Sequence, residues 1–161
     1  MIVVDVLYRD VQTELIADKL SLSKKDVDLI LRSYVSYLRE KINSGNTVKV
    51  LNICYIKNKE NDKELRETLG YIATEISNVI KVGSTTIRRV LSTLEEFIIS
   101  DIAEGKAYSI RGLVRIRCEE VNGEKRVRIK KSTKDNGKPI HIVTLDSFRK
   151  RVGDYIARQN A

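Results

Sequence analysis

The sequence predicts an α+β protein made of two tandem units, each helix, helix and β-hairpin. The units pack about a pseudo-two-fold axis, with one extended basic β-arm and a C-terminal helix. Three observations carry this expectation: the chain repeats itself at an offset of 60 residues, each copy passes from helical to strand periodicity, and Asn122-Gly123 separates two alternating runs. The 161 residues are 42% apolar and 32% charged, which fits one globular domain or two small ones.

Shifting the chain by 60 residues without a gap sets Leu22 on Val82, Val27 on Ile87, Ile30 on Val90, Leu31 on Leu91 and Leu38 on Ile98. The same shift sets Ile42 on Ile102, Gly45 on Gly105, Val50 on Ile110, Ile53 on Leu113 and Ile56 on Ile116. In each copy a short helical pattern, 11–20 or 69–80, leads through a polar break into a longer helix. Ser23 or Ser84 is its expected N-cap, because a hydroxyl accepts from the free N–H groups of the first turn. Gly45 or Gly105 closes it, supplying the left-handed residue at which helices end. Ile87, Val90, Leu91, Leu94, Ile98 and Ile102 recur at three- and four-residue steps, an apolar stripe that belongs to the core. Strands come next at 47–51 and 53–57 in the first copy, and at 107–110 and beyond in the second. One such unit exposes too much apolar surface alone, and two packed together bury it. The expected division is 1–57 for the first unit, which has an N-terminal strand and no arm, 58–68 for a charged linker, and 69–161 for the second unit.

VRIRCEEVNGEKRVRIKK alternates with period two on both sides of Asn-Gly, the strongest short signal for a two-residue hairpin turn. With that turn, Val121 pairs with Glu124, Glu119 with Arg126, Cys118 with Val127, Arg117 with Arg128, Ile116 with Ile129 and Arg115 with Lys130. One face is then apolar and the other sets cation against cation. Like charges opposite one another are unfavourable in a sheet, so the ladder points to an anion lying across it, or to an edge guarded against aggregation. The arm is expected to become a three-stranded meander, closed by 140–145. Phe148, Val152, Tyr155 and Ile156 then mark a short amphipathic helix.

Charge is not spread evenly. Residues 1–110 hold 16 basic and 16 acidic side chains, while 111–151 hold 13 and 5, so the whole net charge of +8 lies on the arm and the segment after it. This asymmetry points to a polyanion, and to nucleic acid ahead of a membrane surface. No apolar run approaches the roughly 18 residues of a membrane span, and MIVVDVLYRD has neither the basic start nor the length of a signal peptide. Cys54 and Cys118 lack metal or redox spacing and read as small buried apolar residues. His141, the single histidine, falls on a strand among apolar residues, and Glu95 and Glu96 point apart on a helix. No nucleophile with a base, carboxylate pair, phosphate loop or metal set emerges, so no enzyme and no cofactor is expected.

ELIADKLSLSKKDVDLILRSYVSYLREKINSGNTVKVLNI and its partner IATEISNVIKVGSTTIRRVLSTLEEFIISDIAEGKAYSIRGLVRI resemble the bacterial histone-like HU/IHF family. Glu14-Leu15-Ile16, Leu22-Ser23-Lys24-Lys25 and Gly45 carry the resemblance in the first copy, Gly105 and Gly112 in the second. It implies an HU/IHF-like architectural protein whose β-arms wrap the DNA minor groove, each with a proline wedge at its tip. This chain departs from the pattern in several places: the first copy has no arm, and Asn122-Gly123 inserts a turn where the family continues its arm strand. Asn52 stands where the second copy has Gly112, and the tip STKDNGKP places its proline two residues after Gly137 rather than three before the glycine. The expected contacts to double-stranded DNA are Arg115, Arg117, Arg126, Arg128, Lys130, Lys131, Lys134, Lys138, Arg149, Lys150 and Arg151, with Pro139 as the wedge. The expected location is a cytoplasmic nucleoid. The alternative expectation is a structural part, such as a viral neck or ring component, in which the arm and the segment IVVDVLY add strands to copies of the chain or to neighbouring subunits.

Overall fold

The structure, a computed structural model, describes residues 3–5, 10–60, 67–110, 112–131 and 140–160. Its elements run β1 (Val3–Asp5), α1 (Asp10–Leu20), α2 (Lys24–Asn43), β2 (Val48–Val50), β3 (Cys54–Asn58), α3 (Leu69–Ile80) and α4 (Ser84–Ala103). Then come β4 (Ala107–Ile110), β5 (Val114–Val121), β6 (Glu124–Lys131), β7 (Ile140–Thr144) and α5 (Asp146–Gln159). The fold is α+β with five helices among the described residues.

The offset of 60 recurs in the backbone. Helix α2 shifted by 60 has the bounds of α4, and the left-handed residues Ser21 and Lys81 at the ends of the short helices are 60 apart, as are Gly45 and Gly105. Val48, Lys49 and Val50 pair with Ile56, Tyr55 and Cys54, and Tyr108, Ser109 and Ile110 pair with Ile116, Arg115 and Val114, the same register displaced by 60. Even the turn bonds repeat, Ile53 N–H to Val50 C=O at 3.0 Å and Leu113 N–H to Ile110 C=O at 2.9 Å. Helix α2 begins as expected, with Ser23 Oγ accepting from Asp26 N–H at 3.1 Å. The second long helix does not. Ser84 is its first residue and Gly83 occupies the cap without a side-chain bond, because Gly83, and not Ser84, stands 60 residues after Ser23.

The stripe Val27, Ile30, Leu31 and Leu38 of α2 and the stripe Ile87, Val90, Leu91 and Ile98 of α4 are all buried, and they belong to one continuous apolar cluster that takes in both copies. Helix α1 packs on α4 as well as on α2, and α3 packs on α2 as well as on α4. Burying both stripes in one cluster removes from water the apolar area that each unit alone would expose. Among the described residues no helix is long and apolar enough to cross a membrane.

Two sheets flank this core. One has the order β1-β4-β5-β6, with β1 parallel to β4 and the other pairs antiparallel; the other has the order β2-β3-β7 and is antiparallel throughout. The arm is therefore not a three-stranded meander. Strand β7 pairs with β3, from Cys54 opposite Thr144 to Asn58 opposite Ile140, and Leu145 N–H continues the contact to Ile53 C=O at 2.9 Å. The physical reason is edge satisfaction. In the second copy the far edge of β5 is taken by β6, while among the described residues no strand follows β3 before α3, and its edge N–H and C=O groups accept β7. The N-terminal strand also pairs within the chain, Val3 to Asp5 lying beside Ala107 to Ser109.

Candidate functional site

Hairpin β5–β6 turns at Asn122 and Gly123, both with positive φ (52° and 81°), the backbone of the turn that matches the twist of paired strands. Its register is the one the sequence predicts at every position, with Cys118 opposite Val127, Arg117 opposite Arg128 and Arg115 opposite Lys130. Ile116 and Val127 are buried, whereas Arg115, Arg128 and Lys130 are exposed and Arg117 is half-buried. Alternation thus anchors one face of the hairpin to the core and holds four cations on the other. Those four line a groove of about 180 Å³ together with Ala107, Tyr108 and Ile116.

The ladder also contains an anion of its own. Glu119 lies on the same face, two residues beyond Arg117, and its carboxylate accepts from Arg117 Nη2 through one oxygen and from Arg128 Nη1 at 3.0 Å through the other. The hydrogen bond from Arg128, and after it that from Arg117, holds this carboxyl below the usual carboxylate range. Opposed like charges cost roughly 0.2–1 kcal/mol, and a carboxylate shared by both offsets that cost. Period-two alternation could have revealed Glu119 in the sequence, since it puts residues 115, 117 and 119 on one side.

The remaining expected contacts divide into groups. Arg126 is exposed and pairs with Glu124 at 3.4 Å. Lys131 is exposed at the end of β6, and Lys150 is exposed on α5. Arg149 Nη1 donates to Val127 C=O at 2.7 Å, which covers a carbonyl on the outer edge of β6 and ties α5 to the arm. Arg151 Nη1 donates to Glu95 Oε2 at 2.6 Å, and Glu95, buried in α4, also accepts from Asn52 N–H at 2.6 Å through Oε1. Glu95 therefore joins α4, α5 and the first copy's hairpin turn, a role the sequence did not suggest. Lys134, Lys138 and Pro139 lie outside the described residues.

On the other sheet the register places His141 opposite Lys57 and Val143 opposite Tyr55, with Lys57 Nζ 5.8 Å from the centre of the Tyr55 ring. Tyr55 and Lys57 occupy the positions that Arg115 and Arg117 hold 60 residues later. This mixed aromatic and basic face could not be found in the sequence, because it depends on the pairing of β7 with β3.

Burial pushes the Cys54 thiol up to about 12, so it is protonated and unreactive at neutral pH. Cys118 is half-buried rather than buried, since it sits where the hairpin leaves the core; desolvation still raises its thiol, against a smaller lowering by Lys125. Among the described residues no three His, Cys, Asp or Glu side chains gather to hold a metal ion. In comparisons with known proteins, no family model matches the chain and no curated protein matches its sequence.

Proposed function

We propose that the chain is a non-enzymatic, HU/IHF-like architectural protein that binds duplex DNA through backbone phosphates, without reading bases. The observation that carries this reading is the convergence of Arg115, Arg117, Arg128 and Lys130 on one groove of the hairpin, in the part of the chain that holds the entire net charge. Cations spaced along a strand meet phosphates as a row of point contacts, which fixes the duplex in place and carries no sequence information. Arg126, on the same face of β6, extends the row.

The reading includes a pseudo-two-fold arrangement of two HU/IHF-like units within one chain. Reciprocal packing of α1 on α4 and α3 on α2 supports it. So does the treatment of the two hairpin turns, since Asn52 is held by Glu95 of α4, while Gly112 lies against Arg39 of α2. On this view β7 closes the sheet of the first unit, while α5 packs on α4 and β6 of the second. A nucleoid location goes with the reading.

The assembly reading has one observation in its favour. A three-residue strand added in parallel at the margin of a sheet, as β1 is to β4, is an arrangement that a strand from a neighbouring copy can reproduce.

Binding of labelled duplex at two salt concentrations tests the proposal. The logarithm of the binding constant should fall with the logarithm of salt at about −0.9 per phosphate contact, with roughly five contacts expected from the described cations. Absence of salt-sensitive binding at low ionic strength, together with failure of an Arg117→Ser, Arg128→Ser double variant to assemble, would transfer the ladder to protein docking.

A further inference from the structure

Glu119 makes the ladder more than a row of cations, and the inference drawn from it rests on the phosphate-binding reading. Its carboxylate bridges two arginines from adjacent strands, the arrangement that a phosphate oxygen pair adopts between two guanidinium groups. Its side chain is 25% exposed, so an incoming anion reaches it from solvent. Both of its arginines line the groove that Arg115 and Lys130 also line, and among the described residues neither Arg115 nor Lys130 has an ion pair. A carboxylate whose two oxygens are each engaged by a different arginine leaves the groove half neutralised and half open.

We propose that the groove is the seat of one phosphate group, and that Glu119 is its built-in competitor, displaced from Arg117 and Arg128 when the phosphate enters. The shared chemistry is that of a phosphate oxygen pair, supplied by a phosphodiester of duplex DNA or by a free polyphosphate. Arg115 and Lys130 meet the anion first, because they are exposed and have no counter-charge among the described residues. Arg117 and Arg128 then exchange carboxylate for phosphate. Each binding event therefore costs the ion pairs of Glu119, which weakens attachment and makes it easier to reverse, a useful property for a protein that must let go of DNA.

Glu119→Gln removes the competitor's charge and keeps its shape. Glu120→Gln, on the opposite face of β5, makes the same change in net charge away from the ladder and serves as the control. Each protein is mixed with a duplex of about 20 base pairs over a salt series, and separately with inorganic pyrophosphate while its Tm is followed. The expected result is that Glu119→Gln binds the duplex about fivefold tighter than Glu120→Gln, with a salt slope steeper by about one, because one more cation is free to release a counterion from DNA. Pyrophosphate should raise its Tm more than it raises that of the control.

If the duplex binds none of the proteins while pyrophosphate still separates the two variants, the seat stands and DNA is not its source of phosphate. If the two variants behave alike with both probes, the seat is overturned, even where wild type retains salt-sensitive DNA binding through other residues. Should Glu119→Gln fail to fold, pyrophosphate titrated into labelled wild type decides the matter. Side-chain N–H signals of Arg117 and Arg128 should move before those of Arg126 and Arg158, and equal movement of all four overturns the seat.

Discussion

Replacing Arg151 with Ala tests whether α5 is held by a buried charge or by its apolar face alone. The Glu95 side chain is 8% exposed and Arg151 is 41% exposed, so the variant strands a carboxylate whose remaining bond among the described residues is that from Asn52 N–H. Breaking a buried pair by removing one partner costs about 3–5 kcal/mol. Water already reaches the guanidinium, which lowers the expected cost to roughly 2–3 kcal/mol. Glu95→Gln should cost only about 1 kcal/mol, since the amide oxygen still accepts from Asn52 and the freed Arg151 turns to solvent. The double variant should then be about as stable as Glu95→Gln alone, because the penalty of Arg151→Ala lies in the carboxylate left behind. Urea unfolding of all four proteins gives these values. In a thermal melt, Arg151→Ala should lower the Tm by roughly 5–10 °C for a chain of this length. A cost for Arg151→Ala no greater than that of Glu95→Gln would refute the reasoning and show that Phe148 and Val152 alone hold α5 in place. Because Arg151 is committed to Glu95, the same variant should leave the salt slope of DNA binding unchanged, the opposite of what a phosphate contact would do.

Arg117→Ser with Arg128→Ser should flatten that slope by about one to two units, and should lower stability by no more than about 1 kcal/mol, since the lost Glu119 pairs are solvent-facing; electrophoretic shift and urea unfolding check the two values. Leu91→Asp places a charge at a fully buried position in the shared core and should unfold the protein, read as loss of the cooperative melt. Gly112→Ala should cost about 1–2 kcal/mol by urea unfolding, because the residue has φ of 79° and the added methyl would lie 3.2 Å from the Arg39 side chain. Cys54 should resist a thiol reagent until the chain unfolds, with Cys118 reacting first. The raised Cys54 thiol contributes stability that is fully present below the unfolded thiol's range near pH 8.5 and is lost as pH rises towards 12, a decline visible in urea unfolding at alkaline pH.

The α+β class, the repeat, the helix spans and the complete register of the basic hairpin were legible in the sequence, because each rests on local periodicity. Three- and four-residue spacing marks a helix face, two-residue spacing marks a strand face, and Asn-Gly fixes which residues oppose one another. The cap at Gly83 was not legible, because a hydroxyl one residue away is equally suitable by type, and only the backbone decides which residue leaves the helix. Local pattern says nothing of which distant edge a strand will join. Strand β7 carries the same alternation whether it extends the arm or completes the first copy's sheet, and the choice fell to β3, whose edge groups would otherwise go unpaired. Charge behaves similarly: composition placed the net +8 on one segment, but only tertiary packing separated the cations of the groove from Arg149 and Arg151, which the fold uses to fasten α5 to the arm and to Glu95. A side chain's type is written in the chain, whereas its partner depends on what folding brings within about 3 Å of it.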